Sequence, residues 1–128
     1  MSGVVLDAGA LIALERHDRA IWAALKLAAI RNVDVVVPST VVAQVWRGSH
    51  SQANLVRALD QCVIAAFDPL ARRIGELCGR TKTSDVCDAH VAIVAVAGAD
   101  VLYTSDPPDL RRLIAACHSR APTMLGVQ

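Results

Sequence analysis

Short apolar segments alternate with longer helical segments along this chain, and that alternation restricts its fold more than any other feature. The apolar segments are rich in β-branched residues and end near Asp, Pro or Gly, which is typical of buried strands. They cover residues 3–9, 33–38, 62–68 and 100–105, with an edge strand expected over 123–127. Because strands that alternate with helices pair in parallel, we expect an α/β fold. It would be an α/β/α sandwich around a mostly parallel sheet of four to five strands.

Residues that cap helices mark the helical segments between these strands. The helix after the second strand is expected to begin at a cap formed by Ser39 or Thr40 and to end at Gly48. The apolar helix after the Thr-Lys-Thr-Ser loop is expected to be capped by Thr83 or Ser84. Two prolines are expected in the first turn of the last helix, where the N–H group they lack would be unpaired anyway.

Aspartates stand at the ends of two strands and in the first turns of two helices. Asp7 ends the first strand, and Asp106 follows the fourth. Asp85 and Asp88 begin an otherwise apolar helix and, being three residues apart, share one of its faces. Asp109 has the same spacing from Asp106. The helix dipole favours a carboxylate at an N-terminus, which is a sufficient structural reason for any single one of them.

As a set, the aspartates indicate a metal site. The carboxyl ends of parallel strands meet at one edge of a sheet, so Asp7, Asp88 and Asp106 are expected to converge there. Converging carboxylates need a counter-ion. Oxygen ligands with few His or Cys residues nearby favour Mg²⁺ or Mn²⁺ over Zn²⁺. Such a site suits hydrolysis of a phosphoester, because the metal activates a water and neutralises charge in the transition state.

The composition fits a small protein without a membrane segment. A length of 128 residues, of which 54% are hydrophobic, fits one domain over residues 1–128. No apolar run approaches the roughly 18 residues of a membrane span, and Asp7 interrupts the first apolar stretch too early for a signal peptide. None of the four cysteines forms a C-x-x-C pair, which argues against structural zinc. We therefore expect a cytoplasmic protein with reduced thiols.

The distribution of positive charge suits a nucleic-acid partner. Thirteen Lys and Arg residues against twelve Asp and Glu give a net charge of +1. If several aspartates gather at one site, the rest of the surface is distinctly basic, as a nucleic-acid backbone requires. The side chains that could follow the phosphates are Arg72, Arg73, Arg80, Lys82, Arg111, Arg112 and Arg120.

Four segments, in order, resemble the motifs of PIN domains, especially the toxin half of VapBC-type toxin–antitoxin modules. They read VVLDAGALIALE, VPSTVVAQVWRG, TSDVCDAHVAIVA and VLYTSDPPDL, and they place nearly the whole chain in a single PIN-like domain over 1–128. The resemblance implies an endoribonuclease that depends on Mg²⁺ or Mn²⁺ and acts as the toxin of such a module. It also implies an RNA substrate, a cognate antitoxin protein as partner, and a homodimer.

The resemblance assigns roles to residues at the matching positions. The implied catalytic and metal-binding carboxylates are Asp7, Asp88 and Asp106. The implied accessory metal-binding acids are Asp85 and Asp109, and Thr104 or Ser105 would supply a hydroxyl group that lines the site.

One position departs from the family pattern. The family usually carries Glu in the helix after the second strand, where this chain has Gln44. An amide oxygen can bind Mg²⁺, but it adds no charge and cannot accept a proton from water. Glu15 is no substitute, since it lies about 12 Å beyond Asp7 along the helix. Arg47 follows Gln44 by three residues and can share its face. Either Asp85 or Asp109 supplies the missing charge, or catalysis is weaker than usual. The alternative interpretation is therefore a catalytically weakened PIN-fold module that still binds an antitoxin.

Three other classes with an acid or a glycine loop after the first strand do not fit. A phosphatase of the haloacid dehalogenase type needs a second Asp two residues after the first, where this chain has Gly9. A dinucleotide-binding domain needs G-x-G-x-x-G at this point. A receiver domain needs a late lysine at a strand end, and the two lysines, Lys26 and Lys82, do not occupy one.

Overall fold

The computed structural model describes residues 3–127 and contains a five-stranded sheet in which all neighbouring strands are parallel. The strands are β1 (Gly3–Leu6), β2 (Asp34–Pro38), β3 (Val63–Ala65), β4 (Val101–Thr104) and β5 (Thr123–Gly126). Their order is β3-β2-β1-β4-β5. Strands β2 and β3 follow one another on one side of β1, and β4 and β5 lie on the other side of β1. The point where the order reverses therefore lies between β1 and β4.

In the described part of the chain, seven α-helices connect and cover these strands. They are α1 (Ala8–Glu15), α2 (Arg19–Ile30), α3 (Ser39–Val45), α4 (Ala53–Leu59), α5 (Ala71–Thr81), α6 (Val86–Val96) and α7 (Pro107–Ala116). Short 3₁₀ turns cover His50–Gln52 and Asp68–Leu70. The predicted α/β sandwich is confirmed. Within residues 3–127, no helix combines the length and apolar character needed to cross a bilayer.

The two faces of the sheet are covered by different helices. Val4 and Val35 face α1 and α2, whereas Val5 and Val36 face α6, because successive side chains of a strand alternate between faces. Val5 pairs with Val36 on one side and with Leu102 on the other, which places a row of aliphatic side chains under α6. Full burial of such a side chain, as at Val5 and Leu102, stabilises the fold by about 1.5–3 kcal/mol.

Helix α6 is buried on most of its circumference. It packs against the sheet on one side and against α5 and α7 on the other. Ala89 and Ala92 are completely inaccessible, and their small side chains allow close packing of α6 with its neighbours. The prediction of a buried helix that begins with two carboxylates is therefore confirmed.

The predicted helix boundaries are wrong in two places, and each difference has a physical cause. Ser39 does not cap α3 but is its first residue, and its Oγ instead accepts a hydrogen bond from the N–H of Phe67 (3.0 Å). Helix α3 ends at Val45, three residues before Gly48, because the N–H groups of Arg47 and Gly48 donate to the side chain of Gln52.

The cap of α6 also differs from the prediction. Neither Thr83 nor Ser84 caps this helix; Asp85 does, since its Oδ1 accepts the N–H of Asp88 (3.0 Å). Thr83 accepts the N–H of Asp85 and so holds the cap residue in place (3.2 Å). The first of the two carboxylates thus has a structural role at the start of the helix.

Candidate metal centre

Asp7 is held by two elements that are distant in sequence. It caps α1, with Oδ1 accepting the N–H of Ala10 (3.0 Å), while Oδ2 accepts the N–H of Ser105 after β4 (3.2 Å). Its own N–H donates to the carbonyl of Tyr103 (3.1 Å). The residue is only 5% exposed. Both carboxylate oxygens keep further lone pairs, so the group remains able to bind a cation at the point where the strand order reverses.

Gly9 allows the turn after β4 to approach the start of α1. A Cβ atom at this position would overlap with the side chain of Ser105. Thr104 is completely buried, and its hydroxyl accepts the N–H of Asp106 (2.9 Å). Thr104 therefore stabilises the turn from beneath, while Ser105 is exposed beside Asp7. No pattern in the sequence indicates that Gly9 is needed for this contact.

Asp88 is the acid whose protonation is most strongly altered. Burial is the largest cause, and the charge of Asp85 and a hydrogen bond with its carboxyl group add to it. The charges of Asp7 and Asp109 act in the same direction, and together these effects raise the pKa of Asp88 from 3.8 to about 7. Half-buried Asp88 therefore lies among three other carboxyl groups and carries a proton for much of the time at neutral pH.

The last helix contributes Asp109 to this group. Asp106 begins α7 as its cap residue and is exposed, whereas Asp109, one turn later, is the acid of α7 whose charge acts on Asp88. We call Asp7, Asp85, Asp88 and Asp109 the acid cluster. The four side chains come from the end of β1, the start of α6 and the first turn of α7.

The acid cluster offers ligand atoms of the kind that Mg²⁺ or Mn²⁺ binds, but its carboxyl groups are not arranged as a coordination sphere. Within residues 3–127, no three His, Cys, Asp or Glu side chains stand in a geometry that could hold a metal ion. The donors are all carboxylate oxygens, as these hard cations prefer. The raised pKa of Asp88 reflects its burial and the negative charges of the other three acids. Asp7, Asp88 and Asp109 would be the residues that hold such a cation, and its charge would offset the repulsion between their carboxylates.

Gln44 lies on the exposed side of α3. One turn earlier, at Thr40, a hydrogen bond connects α3 to α6. Thr40 shares a hydrogen bond with Nδ1 of the buried His90 (2.8 Å). Burial and the charges of Asp85 and Asp88 raise the pKa of the nearby Cys87 thiol, and its interaction with Thr40 lowers it. Thr40 was not among the predicted site residues, although its spacing of four from Gln44 places both on one face.

Arg47 and Glu15 are held in structural contacts. Arg47 is exposed, and its Nη1 donates to the carbonyls of Ala43 (3.3 Å) and Trp46 (2.7 Å) at the end of α3. Glu15 accepts a hydrogen bond from the buried amide of Gln52 (2.7 Å).

Comparison with known proteins supports the fold. No protein-family model and no curated protein matches the sequence. Among solved structures, the chain matches one from the crystal structure of VapBC2 from Rickettsia felis bound to a DNA fragment from their promoter. The TM-score is 0.70 at 18% sequence identity, and the match covers 100% of both chains. The chain therefore has the PIN-like fold that its motifs predict, in common with a protein of the VapBC2 complex.

Proposed function

We propose that this protein is an Mg²⁺- or Mn²⁺-dependent endoribonuclease that acts in the cytoplasm as the toxin of a toxin–antitoxin module. The observation that carries the proposal is the acid cluster: at the carboxyl edge of the sheet, burial and the charges of Asp85, Asp7 and Asp109 raise the pKa of Asp88 to about 7. The fold shared with a chain of a VapBC complex supports the same assignment.

Each member of the cluster has a distinct role in this proposal. Asp7 is a rigid ligand, because two backbone N–H groups hold its carboxylate. Asp88 and Asp109 add charge from two helices, and Asp85 orients Asp88 through the first turn of α6. Asp106 is the third catalytic carboxylate implied by the motifs. It is exposed, and we assign it a contact with the bound metal ion or its water. A bound divalent ion would activate a water and neutralise charge on the phosphate.

Cleavage of RNA in the presence and absence of divalent metal tests the proposal. We expect cleavage with Mn²⁺ or Mg²⁺, loss of cleavage in EDTA, and loss by orders of magnitude in Asp7→Asn. Asparagine still caps a helix, so this variant keeps the bond to α1. Asp34→Asn is the matched control, since Asp34 is exposed at the start of β2, at the opposite edge of the sheet. Cleavage that resists EDTA or survives Asp7→Asn would refute the proposal.

A second candidate function follows from Gln44. Its amide takes the place of a carboxylate on α3, so the protein could keep the fold and the antitoxin contact without efficient hydrolysis. Expression of the protein alone separates the candidates. A toxin arrests growth, and the arrest disappears with Asp7→Asn; a binding module causes no arrest with either sequence.

We further propose that a cognate antitoxin inhibits the enzyme by placing an Arg or Lys side chain within the acid cluster. The matched solved structure is a VapBC2 complex, which supports a protein partner of this kind. A cation there would neutralise the charge that raises the pKa of Asp88. Adding the partner should abolish metal-dependent cleavage; undiminished cleavage would contradict this mode of inhibition.

A homodimer is proposed from the apolar surface of the connecting helices. Leu27 and Ile30 on α2 are 46% and 69% exposed, and Val56 on α4 is 39% exposed. Exposed aliphatic side chains of this size mark interfaces when they cluster. Light scattering at tens of micromolar should give twice the mass of the chain, and a monomer at that concentration would contradict the proposal.

A further inference from the structure

A polar pocket of about 190 Å³ lies between α5, α6 and the end of α7, and none of its lining residues belongs to the acid cluster. Arg73, Glu76 and Arg80 line it from one face of α5. Cys117 and Ser119 line it from the end of α7, and two aliphatic side chains of α6 form the rest of its wall. We call this cavity the α5 pocket.

The α5 pocket carries unpaired positive charge. Arg73 and Arg80 are exposed, and over residues 3–127 the single ion pair joins Arg120 to Asp100 (3.8 Å). Glu76 is three and four residues from the two arginines, a spacing at which helical ion pairs form, yet it pairs with neither. The α5 pocket is therefore lined by two guanidinium groups and one carboxylate. Guanidinium groups bind phosphate oxygens through two parallel hydrogen bonds.

The thiol in the α5 pocket adds no negative charge to offset these arginines. Burial raises the pKa of Cys117, although the charges of Arg80 and Arg73 act in the opposite direction. The group is therefore neutral at physiological pH, and its hydrogen-bond donor points to the carbonyl of Leu113 (3.4 Å). The pocket keeps a net positive charge that favours an anion.

The α5 pocket and the acid cluster lie towards opposite ends of α6 and α7, and helix α5 runs between them. Helix α5 ends at Thr81, and a three-residue loop leads to Asp85 at the start of α6. Arg112, one turn after Asp109 on α7, donates to the carbonyl of Thr81 (2.8 Å). Arg80 adjoins this contact, and Arg73 lies two turns further along α5, about 10 Å away. Positive side chains therefore extend from the cluster to the pocket.

We propose that Arg73 and Arg80 bind a backbone phosphate of single-stranded RNA in the α5 pocket, outside the phosphate that is cleaved. This inference rests on the proposed ribonuclease function and assigns a second contact to its substrate. An acidic segment of a protein would meet the same two arginines. The line of positive side chains that begins beside the acid cluster favours RNA, because a strand bound at the cluster would continue along it.

Binding of a labelled single-stranded RNA oligonucleotide in EDTA tests the inference without requiring cleavage. The double variant Arg73→Ala/Arg80→Ala should weaken binding roughly tenfold, because it removes charge-assisted hydrogen bonds. The slope of log K against log salt should decrease by about 0.7 for each phosphate that the variant no longer neutralises. The matched control is Arg19→Ala/Lys26→Ala, which removes two exposed charges at the same spacing on α2, at the other face of the sheet.

Two further measurements examine the pocket itself. Glu76→Gln should tighten RNA binding, since it removes the carboxylate that opposes an anion. RNA should protect Cys117 from alkylation in the wild type and not in the double arginine variant. Cys62, also half-buried but just after the end of α4, should be modified equally with and without RNA.

The outcomes separate the two proposals. A wild-type protein that binds RNA with the full salt slope but does not cleave it with Mn²⁺ refutes the ribonuclease function and leaves the pocket assignment standing. Equal loss of binding in both double variants, unchanged binding in the Arg73/Arg80 variant, or no RNA binding at low salt overturns the inference. Protection of Cys117 by polyglutamate and not by RNA would identify the pocket as a protein-docking site and also overturn it.

Discussion

Asp88→Asn should stabilise the metal-free protein at alkaline pH. Asparagine is neutral and similar in shape to a protonated aspartic acid, and its amide N–H can donate to the carboxylate of Asp85 as the proton of Asp88 does. The substitution therefore removes the cost of ionising Asp88 among Asp85, Asp7 and Asp109 while keeping the local hydrogen bond.

The size of the effect follows from the shifted pKa. The difference between 3.8 and about 7 corresponds to at most about 4 kcal/mol of unfolding free energy once Asp88 is fully ionised. Because the side chain is half-buried, water screens its neighbours, and about 1–2 kcal/mol is a realistic cost. For a chain of 128 residues this corresponds to a rise in melting temperature of roughly 3–8 °C.

The raised pKa of Asp88 determines the direction in which stability changes with pH. An acid with a raised pKa binds its proton more tightly in the folded state, so wild-type stability falls as pH rises from about 4 to about 7. The free-energy cost of ionising Asp88 in the folded state is fully present above that pH range and nearly absent below it. Thermal melts in EDTA should therefore show a large difference between Asp88→Asn and wild type at pH 8 that shrinks towards about pH 4.5.

Two comparisons complete the experiment. Asp34→Asn removes the same charge from the opposite edge of the sheet and should show no such pH-dependent gain. Millimolar Mn²⁺ should raise the melting temperature of the wild type more than that of Asp88→Asn, because a ligand stabilises the folded state more when it binds more tightly. A variant that is destabilised at pH 8 yet keeps the full Mn²⁺ response and cleavage would refute the reasoning.

Three further predictions concern neighbouring residues. Gln44→Glu should raise cleavage at low Mg²⁺, with a smaller gain at saturating metal; a decrease at every concentration would show that the amide has another role. Gly9→Ala should lower stability by about 1–3 kcal/mol in thermal melts because its Cβ overlaps with Ser105, and Ser105→Gly should restore much of the loss. Gln52→Leu should cost about 2–4 kcal/mol in urea unfolding, because it leaves two backbone N–H groups and a carbonyl without their partner; a loss below about 0.5 kcal/mol would contradict this.

The architecture could be predicted because it depends on patterns that are local in sequence. Apolar strand segments of the right length alternate with helices, and parallel pairing then brings Asp7 and the start of α6 to one edge. The helix boundaries depend on more distant residues. Helix α3 ends where the side chain of Gln52 binds two N–H groups of the following segment, and no pattern within α3 indicates that.

The choice between equivalent residues could not be predicted either. Thr83, Ser84 and Asp85 are all good cap residues, and the path of the loop decides which one is used. Asp106 and Asp109 are three residues apart and share a face, so the sequence does not tell which of them approaches Asp88. The rotation of α7 about its axis decides it, and that rotation is determined by the burial of residues such as Leu110 and Leu113.

The carboxylate of Asp7 bridges parts of the chain that are 98 residues apart, and this has a consequence for biosynthesis. Translation produces β1 first, but the partner of Asp7 at Ser105 emerges only after α6 has been made. Contacts over such separations form late, since the intervening chain must first be ordered. On the proposed function, the growing polypeptide therefore contains no assembled hydrolytic centre until β4 and the turn after it have been made. A fragment that ends before β4 would therefore lack RNA-cleaving activity.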